Sequence, residues 1–319
     1  MKNVKFKTII GILFSILIFY FIYNYLNHNW QALEFKSIKI SWQYLTLAFF
    51  LSLIDFFIYS YGWYNLLSRE EINKSFSKIN LELTKGNLGK YLPGRVWQFM
   101  GRIYLFNRIG YGKSRLLFLS FLEQYYIMLS SAFLFTLALI FTDTSKFQIQ
   151  FPVNIKMILT FAVLILLFFI HPLGLSIINR ILVKITKKVY LEFKISLTKS
   201  IQVFLIYFAY WIIQGSMLLC LVNGFTDFRV ELIFYILGIN AIAYIIGYIS
   251  IITPAGLGIR EGTLTFFLDI FLTKGLGAII AILERIILVL AEILYFFIAY
   301  FIAKTNRKLF NKKLKFRDI

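Results

Sequence analysis

Cysteine, histidine, proline and acidic side chains are all scarce in this chain. Its 319 residues include one cysteine (Cys220), two histidines, four prolines, and 15 Asp+Glu against 34 Lys+Arg. A single cysteine excludes an intrachain disulfide and any Cys-based metal centre. His28 and His171 are far apart and have no carboxylate at metal-ligand spacing, so no metal is expected and a zinc or His-dependent hydrolase is disfavoured. There is no Gly-x-Ser-x-Gly elbow, no HExxH helix and no Asp-x-Asp pair in an outer loop. Gly256-Leu257-Gly258 lacks the Lys-Ser/Thr ending of a phosphate-binding P-loop. Nothing in the chain calls for a cofactor.

What the chain has in abundance is apolar surface. It is 60% hydrophobic, 19% aromatic and only 15% charged, whereas soluble domains are about 45–50% apolar and about 25% charged. That balance describes an all-α, polytopic integral membrane protein. A span needs roughly 20 mainly apolar residues, and such runs lie at about 7–26, 42–67, 116–142, 157–172, 201–222 and 232–252. The first is too long for a signal peptide and no small-x-small cleavage site follows it, so it reads as a retained span. A further apolar region, 262–303, is long enough for two passes and is interrupted near Lys274-Gly275 and again at Glu284-Arg285, which predicts two broken helices.

The net charge of +19 would suggest nucleic acid on a soluble chain. Here it is partitioned by the spans. With the amino terminus inside, 27 basic residues fall on inner segments and five, Lys36, Lys39, Lys146, Lys156 and Arg229, on outer loops. Cytoplasmic loops carry the Lys/Arg excess, so both termini are expected inside the cell membrane, with an even number of crossings, about eight. No nucleic-acid partner is expected.

Two stretches break the pattern of clean spans. One is Lys85 to Arg115, with Pro93 and Gly94 at its centre; the other starts at Thr253 and holds Pro254, Gly256 and Gly258. Proline and clustered glycine leave backbone groups unpaired, which hydrocarbon tolerates only where protein or a wet cavity surrounds them. Both are therefore candidates for broken or re-entrant helices lining an internal site. Each is followed by a glycine break, at Gly110 and Gly112 or at Gly275 and Gly277, and then by a long span bearing Glu123 or Glu284. That layout suggests a weak internal duplication, 1–150 and 151–319, within one transmembrane domain, and paired interrupted segments are a pointer to transport sites.

Ionisable groups inside a bilayer cost about 2.5–3.5 kcal/mol on insertion scales, so each is a functional candidate. Asp55, Glu123, Asp269, Glu284, Arg285 and Glu292 are of this kind, with Arg95, Arg102, Arg260 and Glu261 at the broken segments. Arg95 and Arg102 are seven apart and share a helical face with Gln98, beside an aromatic face of Trp97 and Tyr104. Guanidinium forks suit phosphate oxygens and aromatics settle at headgroup level, so this stripe could hold an anionic phospholipid or polyprenyl-phosphate headgroup. Arg260 stands at the start of a short helix whose amino-terminal amides favour anions. Arg95, Arg102 and Arg260 are thus candidates for phosphate, and Glu123 and Glu261 for a cationic headgroup, a counter-ion or a proton. Simple helix-to-helix pairing, Arg260 with Glu123 or Arg285 with Asp55, is the competing reading. Arg285 is turned away from Glu284 and needs a partner on another helix.

Lys90-Tyr91-Leu92-Pro93-Gly94-Arg95-Val96-Trp97-Gln98, followed by Gly101-Arg102 and Gly110, resembles the first signature of the lysylphosphatidylglycerol synthase transmembrane family. Thr253-Pro254-Ala255-Gly256-Leu257-Gly258-Ile259-Arg260-Glu261-Gly262 resembles its second, with Ala255 in place of the usual glycine. Arg285 matches an arginine in the last long helix. The resemblance implies a membrane domain tied to lipid flipping, of the stand-alone kind that accompanies cell-surface glycan assembly, with membrane lipids and glycosyltransferases as expected partners. Aminoacyl-transferring members append a large cytosolic domain, for which the residues after Ala303 leave no room, so a translocase-like protein and not an enzyme is expected. A membrane-embedded glycosyl- or lipid-modifying enzyme, or a non-transporting subunit of a glycan-assembly complex, are the alternatives.

Overall fold

The computed structural model describes residues 20, 23, 24, 27, 40–67, 75–91, 96–142, 154–174, 176, 195–227, 230–250 and 256–315. Among these there are helices and turns but no strand. Lipid offers no hydrogen bonds to a backbone, so an apolar run of this length must satisfy its own amides as a helix. The helices are α1 (Trp42–Leu67), α2 (Phe76–Asn87), α3 (Val96–Arg108), α4 (Lys113–Phe141), α5 (Asn154–Ile170), α6 (Leu197–Asn223), α7 (Ile233–Ile249), α8 (Ile259–Leu268) and α9 (Leu276–Lys315), with 3₁₀ turns at Leu88–Tyr91 and Val230–Leu232. Five stretches are long and apolar enough to cross a membrane: Trp42–Leu67, Lys113–Phe141, Leu197–Asn223, Val230–Ile249 and Leu276–Asn306. The protein is an all-α, multi-pass membrane protein. The expected first span, 7–26, lies almost entirely outside the described residues.

The burial pattern is that of a protein dissolved in lipid. On α9 the exposed side chains include Ile286, Leu290, Ile293, Phe297 and Phe301, while Glu284 and Glu292 are buried. On α1 Phe50, Ile54 and Phe57 are exposed and Ser52, Asp55 and Ser60 are buried. Apolar groups face outward because lipid tails are as apolar as leucine; polar groups turn inward because only protein can partner them.

The region 262–303 departs from expectation. α8 has ten residues, about 15 Å at the α-helical rise, half of a roughly 30 Å hydrocarbon core. A turn follows, with Gly275 at φ 93°, and Asp269 accepts from the amides of Gly275 (3.1 Å) and Gly277 (2.9 Å). From Leu276 the chain is one unbroken 40-residue helix. No break occurs at Glu284-Arg285, because the expected kink needed orphaned backbone groups and each charge instead finds a side-chain partner. The region thus supplies one half-helix and one crossing helix.

Two hairpins are set into the bundle from opposite ends. α2 and α3 run antiparallel, close enough that a Cβ on Gly86 would lie 3.1 Å from the Arg102 Cα and one on Gly89 2.8 Å from the Trp97 carbonyl oxygen. They enter from the end that holds Leu67, Lys113 and the basic tail of α9, where Asn306 donates to Ser77 (3.1 Å). α7 and α8 enter from the other end, where the Ser41 amide bonds the Gly224 carbonyl (2.9 Å) and the Tyr235 hydroxyl bonds the Phe267 carbonyl (3.1 Å). α1 and α6 pack side by side between them, brought together at Gly62, where a Cβ would lie 2.7 Å from the Tyr207 ring.

Candidate functional site

Each hairpin carries an arginine on its returning arm, and the two are held alike. Arg102 on α3 is fully buried; it pairs with Glu123 on α4 and donates to Asn87 on α2 (2.8 Å) and to the Tyr59 hydroxyl on α1 (2.7 Å). Its guanidinium also lies over the Trp63 ring, 4.5 Å from the centroid. Arg260 on α8 is 6% exposed, pairs with Glu284 on α9 at 2.7 Å and donates to Asn240 on α7 at 3.0 Å. In both, the partners are an asparagine on the hairpin's first arm and a glutamate on the next long helix. In both, a glycine on the first arm makes room: a Cβ on Gly86 would sit 3.1 Å from the Arg102 backbone, and one on Gly247 3.1 Å from the Arg260 Cβ. A buried guanidinium keeps its charge only with forked carboxylate and carbonyl acceptors around it, and each hairpin supplies them.

Between the hairpin tips lies a cavity of about 180 Å³, lined among others by Asp55, Tyr59, Asn87, Lys90, Tyr91, Gln98, Gln124, Tyr210, Gln214, Tyr244, Arg260, Arg285 and Glu292. Lys90, on the 3₁₀ turn that ends the first arm, pairs with Glu292 at 2.7 Å. Tyr91 donates a hydrogen bond to the same carboxylate. Burial first, and the Glu292 charge second, raise the Tyr91 hydroxyl above its ordinary value, so it remains a proton donor. Arg285 on α9 lies 3.7 Å from Glu261 on α8. Glu261 in turn accepts from the Gly258 amide at 2.7 Å, closing the start of α8, where Gly256 (φ 71°) and Gly258 (φ 84°) adopt the left-handed backbone that a side chain resists.

Residues 8–295 match the family described as the lysylphosphatidylglycerol synthase TM region. The chain belongs to this family. No curated protein matches it significantly. The lysylphosphatidylglycerol synthase TM match runs through both hairpins and most of α9, so the paired arginines lie within family sequence.

Within this family member the sequence candidates divide by position. Arg260, Arg285 and Gln98 line the cavity, and Gln98 also donates to Asn87 at 3.3 Å. Glu261 stands behind the wall, holding the α8 turn and facing Arg285. Arg102 does not join the surface stripe, with Arg95 and Gln98, that was expected beside Trp97 and Tyr104. Those two aromatics are exposed, but Arg102 and Glu123 are fully buried in their own network, because a charge facing lipid costs more than one enclosed by acceptors. The expected cross-pairings are also replaced: Glu123 takes Arg102 instead of Arg260, and Arg285 faces Glu261 instead of Asp55. Arg95, Pro93, Gly94 and Pro254 lie outside the described residues.

Other lining residues were not singled out by sequence: Asn87, Lys90, Tyr91, Gln124, Gln214 and Tyr244. A signal existed for some of them. Gln214 interrupts an otherwise apolar run in α6, as Asn240 does behind the wall in α7, and uncharged polar groups in a span need an explanation as much as charged ones do. No group of three or more His, Cys, Asp or Glu able to hold a metal occurs among the described residues.

Proposed function

We propose that this protein binds the phosphate-bearing headgroup of a membrane lipid in the cavity between its two hairpins and passes it from one leaflet to the other. The lipid is an aminoacylated or other anionic phospholipid, or a polyprenyl-linked glycan intermediate. The observation that carries this reading is a cavity lined by both polar and apolar groups and flanked by hairpins from opposite ends, with two cations on its wall that are only partly enclosed. Side chains of Lys90 and Arg285 are 28% and 20% exposed. Arg285 is the loosest, at 3.7 Å from its carboxylate, and its fork is free to turn toward phosphate oxygens. Arg260 is committed to Glu284 and Asn240 and acts as the clamp that fixes the α8 arm. The two Asn-Arg-Glu clamps support an inverted duplication of the halves, 1–150 and 151–319, a plan under which one hairpin opens as the other closes. Both termini lie on the cytoplasmic face in this scheme, and for a polyprenyl-linked substrate the partners are glycosyltransferases.

Reconstitution tests it. Full-length protein in liposomes with fluorescent anionic phospholipid or polyprenyl-phosphate analogues accelerates leaflet exchange, and Arg285→Ala with Lys90→Ala removes the acceleration. Equal exchange in empty and protein-containing vesicles, for both lipid classes, overturns the proposal. A covalent change in the lipid by mass spectrometry overturns it in favour of an enzyme.

A further inference from the structure

Four cations sit in or behind the cavity wall, and each lies within ion-pair distance of its own carboxylate. Lys90 has Glu292, Arg102 has Glu123, Arg260 has Glu284 and Arg285 has Glu261. Asp55 is a fifth carboxylate, and among the described residues no cation lies within that distance of it. It is 2% exposed and occupies the middle of α1. Its Oδ2 accepts from the Gln214 amide at 3.2 Å, while its Oδ1 has no hydrogen-bond partner. Two neighbouring acceptors are equally open, Gln214 Oε1 and Glu284 Oε2. Both Asp55 and Gln214 line the cavity.

The groups around Asp55 come from several elements, and Gln124 of α4 lines the same cavity. Tyr59 is on its own helix, Tyr210 and Gln214 are on α6, Lys90 is on the first hairpin, Arg260 is on α8 and Glu284 is on α9. Lys90 and Arg260 are in electrostatic reach but already spoken for, and Glu284 repels. Gln214 spends its own amide on Asp55 and on the Tyr210 hydroxyl (2.7 Å), which leaves its carbonyl oxygen facing inward. A carboxylate at mid-membrane with an open oxygen must be neutralised. Asp55 Oδ1 and Gln214 Oε1, neither of which receives a hydrogen bond, suit a hard monovalent cation or a proton. Among the described residues no three His, Cys, Asp or Glu side chains converge there as a divalent-metal site would need.

We propose that Asp55, with Gln214, is a small-cation site of the cavity that takes up H⁺ or Na⁺ in each transport cycle. The proposal rests on the transport reading above and names the ion that would couple to it.

The test uses the full chain in bilayers, labelled with carboxyl-¹³C aspartate, of which the sequence holds only five. The resonance absent from Asp55→Asn is that of Asp55. This variant mimics the neutral acid and is expected to fold; Asp55→Glu removes the same resonance should it fail. The expected result is a neutral-acid signal that shifts to a charged one on raising pH without Na⁺, or on adding Na⁺ at fixed pH but not on adding choline. A pH response alone identifies the proton, and a Na⁺ response identifies the metal ion. In liposomes, a gradient of that ion changes lipid exchange by the wild type and leaves Asp55→Asn unaffected. An Asp55 signal that is charged throughout the neutral range and indifferent to Na⁺ overturns the proposal, even if lipid exchange is normal. A normal titration without any lipid exchange overturns the lipid reading and leaves the cation site standing.

Discussion

Removing Arg260 strips Glu284 of its ion-pair partner. The guanidinium is bonded to Glu284 at 2.7 Å and to Asn240 at 3.0 Å, and the Glu284 side chain is fully buried. Glu284 Oε2 already has no partner, so Arg260→Met would leave both oxygens bare. Breaking a buried ion pair from one side costs about 3–5 kcal/mol, mostly as the penalty of the stranded charge. Adding Glu284→Gln removes that charge, and the double variant should recover about 2–3 kcal/mol of the loss. Arg285 is the control: it is one residue away, on the same wall, 20% exposed and 3.7 Å from its carboxylate. Its pair is long and makes no hydrogen bond, and Glu261 keeps the Gly258 amide as a donor, so Arg285→Ala should lose lipid exchange with less loss of stability than Arg260→Met. Thermal and denaturant unfolding in detergent, followed by tryptophan fluorescence, measures all four proteins. The reasoning is refuted if Arg285→Ala destabilises as much as Arg260→Met, or if the double variant is no more stable than Arg260→Met alone.

Arg102→Lys should cost about 2–3 kcal/mol despite keeping the charge, because an ammonium cannot reach Glu123, Asn87 and Tyr59 together as the fork does; denaturant unfolding checks it. Gly62→Ala would place a Cβ 2.7 Å from the Tyr207 ring, and overpacking of about 1–3 kcal/mol should separate α1 from α6, which disulfide cross-linking between cysteines on the two helices would report. Gly247→Ala brings a Cβ to 3.1 Å from the Arg260 Cβ, and slower lipid exchange with a small loss of stability is expected, measured on one preparation. In a background lacking Cys220, Lys274→Cys and Lys304→Cys should react with an impermeant thiol reagent from opposite faces of the vesicle, since both are exposed and α9 runs between them; reaction from one face would contradict a crossing α9.

The long helices were legible from run length alone. Expected spans at 42–67, 116–142, 201–222 and 232–252 correspond to Trp42–Leu67, Lys113–Phe141, Leu197–Asn223 and Ile233–Ile249, while the run at 157–172 is the helix Asn154–Ile170, shorter than the helices long enough to cross a membrane. In lipid an apolar run can only be helix, so composition decides without tertiary help. The interruption at Gly275 was legible too, because glycine marks a left-handed turn. The expected break at Glu284-Arg285 was not built, since a charged pair in a span can be accommodated by neighbours without bending the backbone.

The charged residues of the candidate site were visible as intramembrane ionisable groups, but their pairings were not. Glu123 could equally have served Arg260 or Arg102, and only the depth to which each hairpin inserts decides. Asp55 was one name among several acids in the sequence. The structure singles it out by giving Lys90, Arg102, Arg260 and Arg285 to other carboxylates.

What the sequence by itself determined, then, is the solvent and the secondary structure: scarce charge and long apolar runs dictate a helical membrane protein, and glycines such as Gly258 and Gly275 mark where helices start after left-handed backbone. What only the tertiary structure decided is which side chains share a wall. Helical periodicity sets the face a residue occupies but not the neighbour it meets, and hairpins inserted from opposite ends bring together groups as distant in sequence as Lys90 and Glu292. The surplus carboxylate at Asp55 exists only as a remainder after those meetings are made.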